Sequence, residues 1–399
     1  MPMALAGFRI LDLTIFQNGP WATAMLADMG ADVIKIEHPT LGDPGRHANL
    51  NPSPDAPDIY FQTMNRNKRS MTLNLKSERG RQVFYRMVKS ADAVTQNFRV
   101  GVAEKLKADY EIVRAINPRI IYASISGFGS KGPDAKEGVF DHLGQARSGF
   151  LNLMALPDGS IRFQAIAALA DQMGAIYAAY AIMCAIAARE RTGLGQHVET
   201  SQLGAMMALQ AMAINNFLGH GQLHGPADRM KSTNPLYNVY RCADGKWFSL
   251  GAVQPDRYWE TICGVIGMRH LVKDARFATL QARAANAREL ITILDSWFGA
   301  RHREECLKLF KSAGVLCAPV QDYAELERDP QVIANEYIAT VEHPIHGSLK
   351  QVGIPAKLSA TPGEIRFAAP QFGQHTEEVL LEFGYSWDEI ASLRSDGVI

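Results

Sequence analysis

The chain has 399 residues with 41 basic and 41 acidic side chains, and it carries no formal net charge. That length exceeds the size at which one core usually stops growing, so we expect two domains or one elaborated domain, and the charge balance argues against a nucleic-acid-binding protein. The five cysteines are widely spaced and form no CxxC pair, which argues against disulfides and indicates a reducing, cytoplasmic location.

The first predicted elements form a βαβ unit. Apolar runs predict strands at residues 8–13 and 32–36, and helical spacing predicts a helix at 21–29 between them. The residues before the first strand lack the basic segment, apolar core and cleavage site of a signal peptide, so no targeting segment is expected.

Three more strands are predicted at residues 70–75, 91–95 and 119–126, and a helix capped by Ser77 follows the first of them. This alternation predicts an α/β fold with a Rossmann-like, doubly wound and largely parallel sheet. Ligands of such sheets bind beyond the carboxyl ends of the strands. Those ends carry amides, charges and glycines: Gln17, Asn18, Gly19, Glu37, His38, Lys76, Asn97, Phe98, Arg99, Gly127, Phe128 and Gly129.

A long apolar helix is predicted around residues 174–188. This stretch has no charge, but its 15 residues are fewer than the roughly 20 needed to span a bilayer, so we expect a buried helix of a soluble protein without membrane contact. Small residues recur three and four positions apart, which predicts a flat face for close packing. They are Gly174, Ala178, Ala181, Ala185 and Ala188.

An α+β pattern follows residue 219. It contains a hairpin with its turn at residues 243–245 and helices at 257–265 and 285–311. The predicted domains are a large Rossmann-like domain at 1–219, a small α+β domain at 220–325, and a return segment at 326–399 whose terminal helices complete the large domain.

The loop after the first strand argues against a dinucleotide site, although Glu37 stands where such folds hold a ribose. Gly19 is its only glycine where the GxGxxG fingerprint has three, and Pro20 and the bulky Trp21 follow it. HExxH, GxSxG, P-loop and paired-cysteine motifs are also missing, so we predict neither a metal site nor a permanently bound cofactor.

Asp171 is the only charged residue from 163 to 188, a range that includes the apolar run. One interpretation is an aspartate that offsets the dipole at a helix N-terminus. The other is a nucleophilic carboxylate that the same dipole keeps ionised. The residues by themselves leave both open.

Six segments in chain order carry a family resemblance: ILDLTIFQNGP, ADVIKIEHP followed by GDPGR, NRNKRSMTLNLKSERGR, ISGFGSKGP, ALADQMGAIYAAYAIMCAIAARERTGLGQHVETS and TPGEIRFAAPQFGQHTEEVLLEFGY. Through them the chain resembles the class III CoA-transferases from about Gly7 to Ile399. This family includes formyl-CoA:oxalate and carnitine CoA-transferases and, as an isomerase branch, α-methylacyl-CoA racemase.

The resemblance implies CoA transfer between carboxylic acids, with acyl-CoA and CoA as substrates. Asp171 falls on the family's catalytic aspartate, and Gln17 falls on a residue near CoA and the reaction centre. His38 and Lys105 stand where arginine is frequent, so their phosphate contacts are expected to differ. The implied CoA-binding positions are His38, Leu73, Lys76, Asn97, Phe98 and Lys105.

The implied mechanism is covalent, because Asp171 becomes first an anhydride and then an aspartyl-CoA thioester. Gln17 and backbone N–H groups are candidate oxyanion donors. Asp141 lies near a glutamate of formyl-CoA transferase, and either substrate contact or helix capping fits it. Residues 230–234 lack the consecutive glycines of that enzyme's loop. The resemblance also implies an interlaced homodimer.

Two alternatives stay open. A racemase needs an acid and a base on opposite faces of the α-carbon, and its His-Asp pair is replaced here by Phe140 and Asp141, with His142 displaced. The other alternative is a non-catalytic acyl-CoA-binding protein on the same fold. The acids exchanged are not identified; Arg162 and Arg229 are candidates for a second carboxylate, although surface exposure is the commoner situation for arginine.

Overall fold

The structure is a computed structural model that describes residues 2–48, 57–162, 167–223, 225 and 227–399. The chain divides into two compact units. Unit 1 comprises Met1–Leu151, Phe163–Leu223 and Asn335–Ile399, and unit 2 comprises Asn152–Arg162 and His224–Ala334. The domain limits predicted above refer to segments that fold independently. The division into two units does not test them, so they stay a prediction.

Eleven strands and eighteen α-helices form in the described residues. The strands are β1 (Arg9–Asp12), β2 (Asp32–Glu37), β3 (Lys68–Thr72), β4 (Ala93–Gln96), β5 (Ile121–Ser126), β6 (His197–Ser201), β7 (Tyr237–Arg241), β8 (Trp247–Gly251), β9 (Cys317–Val320), β10 (Ile338–His343) and β11 (Gly347–Val352). The helices are α1 (Asn18–Asp28), α2 (Ile59–Asn65), α3 (Glu78–Val88), α4 (Val102–Lys105), α5 (Tyr110–Ile116), α6 (Asp141–Arg147), α7 (Phe150–Leu153), α8 (Leu169–Thr192), α9 (Gln202–Leu209), α10 (Ala211–His220), α11 (Pro255–Val265), α12 (Leu280–Ala285), α13 (Ala287–Gly299), α14 (Arg303–Ser312), α15 (Tyr323–Leu326), α16 (Pro330–Ala334), α17 (Thr376–Glu382) and α18 (Trp387–Ser395).

Unit 1 contains a six-stranded parallel sheet in the order β3-β2-β1-β4-β5-β6. This order confirms the predicted α/β class, and Ser77 caps α3 as predicted, its Oγ accepting from Gly80 N. β6 was not predicted from the sequence, because His197–Ser201 is a short, polar strand at the edge of the sheet. The strand order reverses between β1 and β4, and loops that follow strands separate there to leave a crevice.

Helices cover both faces of this sheet. Alternate strand residues point to opposite faces, so Leu11 and Val94 belong to one core while Ile10 and Ala93 belong to the other. The first core is closed by α3, α17 and α18, and the second by α1 and α8. The return of the chain through α17 and α18 therefore completes a layer of unit 1.

The apolar helix α8 is longer and less buried than predicted. Its buried face includes Gly174, Ala178 and Ala185 as expected, but Ala175 and Ile182 replace Ala181 and Ala188 on it. The opposite face exposes large apolar side chains: Ile176, Tyr180 and Met183. By length and composition alone α8 could cross a membrane; here its small residues pack it against α1.

A group of buried charges lies under the carboxyl end of the sheet. Lys68 Nζ is 3.0 Å from Asp12 Oδ2 and also donates to Pro20 O and Asn65 Oδ1. Burial by itself raises the pKa of Asp12, but the positive charges of Lys68 and Lys35 outweigh it and lower that pKa to about 2. Asp12 is therefore a structural anion whose ionised state depends on two buried lysines.

Unit 2 is an α+β unit, in agreement with the predicted hairpin. β7, β8 and β9 form an antiparallel sheet. Its core is aromatic, with the ring centroids of Phe248 and Phe298 4.8 Å apart and Phe310 5.5 Å from Phe298. The predicted helix at 285–311 is two helices, α13 and α14.

Lys68→Met is expected to lower the free energy of unfolding by about 3–5 kcal/mol, because Asp12 would stay buried without its closest cation. Urea denaturation followed by circular dichroism measures the change. Lys89→Met alters an exposed lysine after α3 and is expected to stay within about 0.5 kcal/mol of the wild type. A Lys68→Met loss no larger than that of the control would contradict the structural role of the pair.

Candidate active site

Asp171 lies in the first turn of α8 and lines a cavity of about 300 Å³ beyond the carboxyl end of the sheet. The residue before the helix, Ala168, has a left-handed backbone with φ of 44°. Residues 163–166 of the uncharged stretch noted above lie outside the described residues. The carboxylate is thus presented to a cavity rather than to open solvent.

Asp141 caps the helix that carries Asp171. Its Oδ1 accepts from the N–H groups of Ala170 at 2.7 Å and Asp171 at 3.1 Å, while Gln145 Nε2 donates to its Oδ2 at 2.6 Å. Of the two roles open for Asp141, the structure shows capping; contact with a substrate stays a prediction.

The Asp171 carboxyl group is a weaker acid than its place at a helix N-terminus would suggest. Burial, followed by the like charge of Asp141, raises its pKa to about 7, and a hydrogen bond from Gln202 only partly offsets this. The charge of Asp171 also acts on Tyr60: burial and then this charge raise the pKa of the Tyr60 phenol. A more basic carboxylate is a better nucleophile once it is ionised.

Asn97 holds the loop after β1 at the point where the strand order reverses. Its Oδ1 accepts from Ile15 N at 2.9 Å, and its Nδ2 donates to Ile15 O and to Asn18 Oδ1, both at 2.8 Å. Asn97 thereby joins the end of β4 to the loop that contains Gln17. Its predicted neighbour Phe98 lines the same cavity.

Phe16, directly before Gln17, has a left-handed backbone with φ of 62°. Asp43 Oδ1 accepts from Phe16 N at 2.9 Å, and the fully buried Lys35 lies 2.7 Å from Asp43 Oδ2. Lys35 also donates to Thr14 O at 2.9 Å. These contacts fix the backbone next to Gln17, and Gln17 lines the cavity.

The predicted site residues divide between two neighbouring cavities. Gln17, Asn97, Phe98 and Asp171 line the cavity described above. A second cavity of about 150 Å³ is lined by Phe98 together with His38, Leu73 and Lys76. Lys105 is exposed at the end of α4 and is not among the described residues that line either cavity.

Burial and then the charge of Lys76 lower the pKa of His38, which favours its neutral imidazole. Its Nδ1 accepts from Thr40 N at 3.3 Å, so the ring proton is on Nε2. The ring can donate one hydrogen bond but adds no positive charge, unlike an arginine at this position. Lys76 is therefore the cation of the second cavity.

Gln202 contacts Asp171 but was not predicted as a site residue from the sequence. It begins α9, is 2% exposed, and donates through Nε2 to Asp171 Oδ1. Nothing local signals this role, since the two residues are separated by a helix and a strand.

Arg229, a candidate for binding a second carboxylate of a substrate, is already paired with Asp295 at 2.7 Å within unit 2.

The lining of the Asp171 cavity bears on the possible chemistry. Phe140 lines it and meets the ring of Phe16 at 5.8 Å, whereas no histidine is among the described residues around it. In the described parts of the chain, no group of three His, Cys, Asp or Glu side chains is placed to hold a metal ion. The lining carries two carboxylates, Asp171 and Glu137, together with amide side chains and Arg99. The neighbouring second cavity is mostly apolar and carries Lys76.

A family model described as CoA-transferase family III matches residues 5–376. Formyl-CoA:oxalate CoA-transferase from Streptomyces avermitilis is 34% identical over 415 residues, covering 100% of both chains. Succinyl-CoA–D-citramalate CoA-transferase from Chloroflexus aurantiacus is 31% identical, covering 100% of this chain and 98% of the relative. A crystal structure of a CaiB/BaiF family protein from Brucella suis has a TM-score of 0.86 at 30% identity, covering 96% of this chain and 100% of that one.

Asp171 is expected to titrate near pH 7, and Asp141→Asn is expected to lower its pKa. The asparagine keeps an oxygen for the α8 cap but removes the like charge. Infrared difference spectroscopy of the carboxyl band during a pH titration measures both, with Asp171→Asn identifying the signal. A wild-type pKa near 4, or no downward shift in Asp141→Asn, would contradict this electrostatic description.

Proposed function

This chain belongs to CoA-transferase family III, and we propose that it transfers CoA from an acyl-CoA thioester to an acceptor carboxylic acid through covalent intermediates on Asp171. The supporting observation is the position of Asp171, which lines a cavity at the sheet's crevice together with the glutamines Gln17 and Gln202. CoA thioesters are the substrates of the family, and Lys76 of the second, mostly apolar cavity is the proposed contact for a phosphate of CoA.

The first half-reaction makes an aspartyl-CoA thioester. An oxygen of ionised Asp171 attacks the thioester carbonyl, and the tetrahedral intermediate collapses to an anhydride and CoA thiolate. The thiolate then attacks the aspartyl carbonyl and releases the donor acid as a carboxylate. The acceptor carboxylate repeats these steps in reverse, so the free energy of the thioester is conserved and no further energy source is required.

Residues that line the cavity have distinct roles in these steps. The raised pKa of Asp171 makes it a stronger nucleophile, although only part of the population is ionised at pH 7. The Gln17 amide is a donor for the oxyanion on the acyl group. Phe140 and Phe16 pack edge to face and give this side of the cavity an apolar wall.

Racemisation is the less favoured alternative, because Phe140 occupies the cavity wall where the racemase branch has a histidine, and His142 is not among the described lining residues. A non-catalytic acyl-CoA-binding role gives no reason for a carboxylate with a raised pKa in the cavity. The cytoplasmic location expected from the cysteines is part of the proposal.

A second part of the proposal is a homodimer. All residues of α10 are at least partly exposed, and Met212, Phe217 and Leu218 on it are exposed apolar residues, as are Ile176 and Tyr180 on α8. Large apolar surfaces of this kind are typical of protein interfaces. We expect a second copy of the chain to cover them; interlacing of the two copies stays a prediction from the resemblance.

Incubation with a panel of acyl-CoAs is expected to leave an acyl or CoA adduct on Asp171, which hydroxylamine or borohydride trapping and intact-mass measurement detect. Asp171→Asn is expected to abolish the adduct and CoA transfer. Asp388→Asn removes an exposed carboxylate on α18 and serves as the matched control, with normal adduct formation.

Two outcomes of that experiment would overturn the proposal. Exchange of the substrate α-proton in deuterated water without CoA transfer to any added acid would establish the racemase instead. Binding of CoA with neither turnover nor an adduct over a wide panel would establish the non-catalytic role.

Met212→Glu combined with Leu218→Glu is expected to prevent dimer formation, because two charges would have to be buried in an apolar interface. Light scattering coupled to size-exclusion chromatography measures the molar mass, with twice the chain mass expected for the wild type. Trp387→Glu replaces an exposed apolar residue on α18 and is expected to remain dimeric. A monomeric wild type at micromolar concentration would refute this part of the proposal.

A further inference from the structure

The side chain of Gln202 is enclosed between α6 and α8. A Cβ added to Gly144 of α6 would lie 3.1 Å from Gln202 Cβ and 3.3 Å from its Oε1, and one added to Gly174 of α8 would lie 3.7 Å from its Cγ. Gly144 therefore leaves room that the glutamine fills, whereas a Cβ on Gly174 would make an ordinary van der Waals contact with it. This close packing fixes where the amide can point.

The amide of Gln202 points at the nucleophile. Its Nε2 donates to Asp171 Oδ1, and its buried Oε1 has no hydrogen-bond partner in the described part of the structure. An ionised carboxylate has only acceptors, so the N–H₂ side of the amide must face Asp171. A buried acceptor without a partner is unfavourable, yet the amide keeps the orientation that bonds to Asp171.

We propose that Gln202 is a catalytic residue that stabilises the oxyanion formed on Asp171 Oδ1 when CoA thiolate attacks the aspartyl carbonyl carbon. This inference rests on the covalent mechanism proposed above. It assigns a donor to the aspartyl side of the reaction, whereas Gln17 serves the oxyanion on the acyl side.

The electron and atom balance of this step requires no other reactant. In the anhydride, one Asp171 oxygen bridges to the acyl group and Oδ1 is the remaining carbonyl oxygen. The thiolate forms a C–S bond to Cγ, and the carbonyl electron pair moves onto Oδ1. Collapse restores the carbonyl and breaks the bond from Cγ to the bridging oxygen, which leaves in the donor carboxylate. The acceptor acid reacts through the same intermediate in reverse.

The hydrogen bond from Gln202 is stronger in the tetrahedral intermediate than before it. In the free carboxylate the charge is shared by two oxygens, and in the anhydride the carbonyl oxygen is neutral. In the intermediate a full charge is localised on Oδ1, at an atom that Nε2 already contacts. Removing one preorganised oxyanion donor typically lowers kcat by about 10²–10³-fold.

Gln202→Met keeps the length of the side chain and removes only the amide. Single-turnover reactions with an acyl-CoA, quenched at intervals and analysed by intact mass, separate the anhydride from the aspartyl-CoA thioester. Conversion of the first into the second is expected to slow by about 10²–10³-fold, so that the anhydride accumulates, while KM for acyl-CoA changes little. The measurement is made well above pH 7, where Asp171 is ionised in wild type and variant.

Gln210→Met is the matched control, because Gln210 is also buried on the same helical segment but its amide donates to Met206 O at 2.9 Å. It is expected to convert the anhydride at the wild-type rate. Gln202→Leu is a second variant in case the methionine disturbs packing, and circular dichroism and CoA binding verify that each variant is folded.

The outcomes separate this inference from the proposed function. A wild type that forms no adduct on Asp171 removes the covalent mechanism itself. A wild type that forms both intermediates, together with a folded Gln202→Met or Gln202→Leu that converts the anhydride at the wild-type rate, overturns the role of Gln202 alone. A loss confined to KM would also overturn it, because the role would then be binding.

Discussion

The buried ion pair between Lys35 and Asp43 is the constraint on which the geometry of the site depends. Both side chains are fully buried, and they fix the loop after β1 by hydrogen bonds to the backbone of Thr14 and Phe16. Phe16 adopts a left-handed backbone that costs of the order of 1–3 kcal/mol and persists only where its surroundings impose it. The same contacts deliver Gln17 to the cavity of Asp171, so the pair acts on the site through the loop.

The strand order of unit 1 is that of a dinucleotide-binding fold, but its first turn is filled. A Cβ on Gly19 would lie 2.4 Å from Thr14 Cβ, and Pro20 and Trp21 follow at the start of α1. A pyrophosphate therefore has no glycine-lined approach to this helix. The carboxylate that we propose as the nucleophile lies instead on α8, at the crevice of the same architecture.

The environment of Asp171 combines two opposing requirements. Burial opposes ionisation of Asp171 most strongly, and the charge of Asp141, which has to stay near to cap α8, opposes it further, while Gln202 favours it. The result is a carboxyl group with a pKa of about 7, more basic than an exposed aspartate but still ionised in part of the population. Such a balance suits a group that acts first as a nucleophile and then as a leaving carboxylate.

The sequence by itself determined the α/β class, the Ser77 cap, the hairpin of unit 2 and the candidacy of Asp171, because apolar period, turn residues and an isolated charge are local signals. Only the tertiary structure decided that Gln202 and Asp141, 31 and 30 residues from Asp171, contact it, that Lys105 lies outside both cavities, and that one face of α8 is exposed. These facts depend on crossovers that bring distant strand ends together, and no periodicity within a segment encodes which distant side chains will meet.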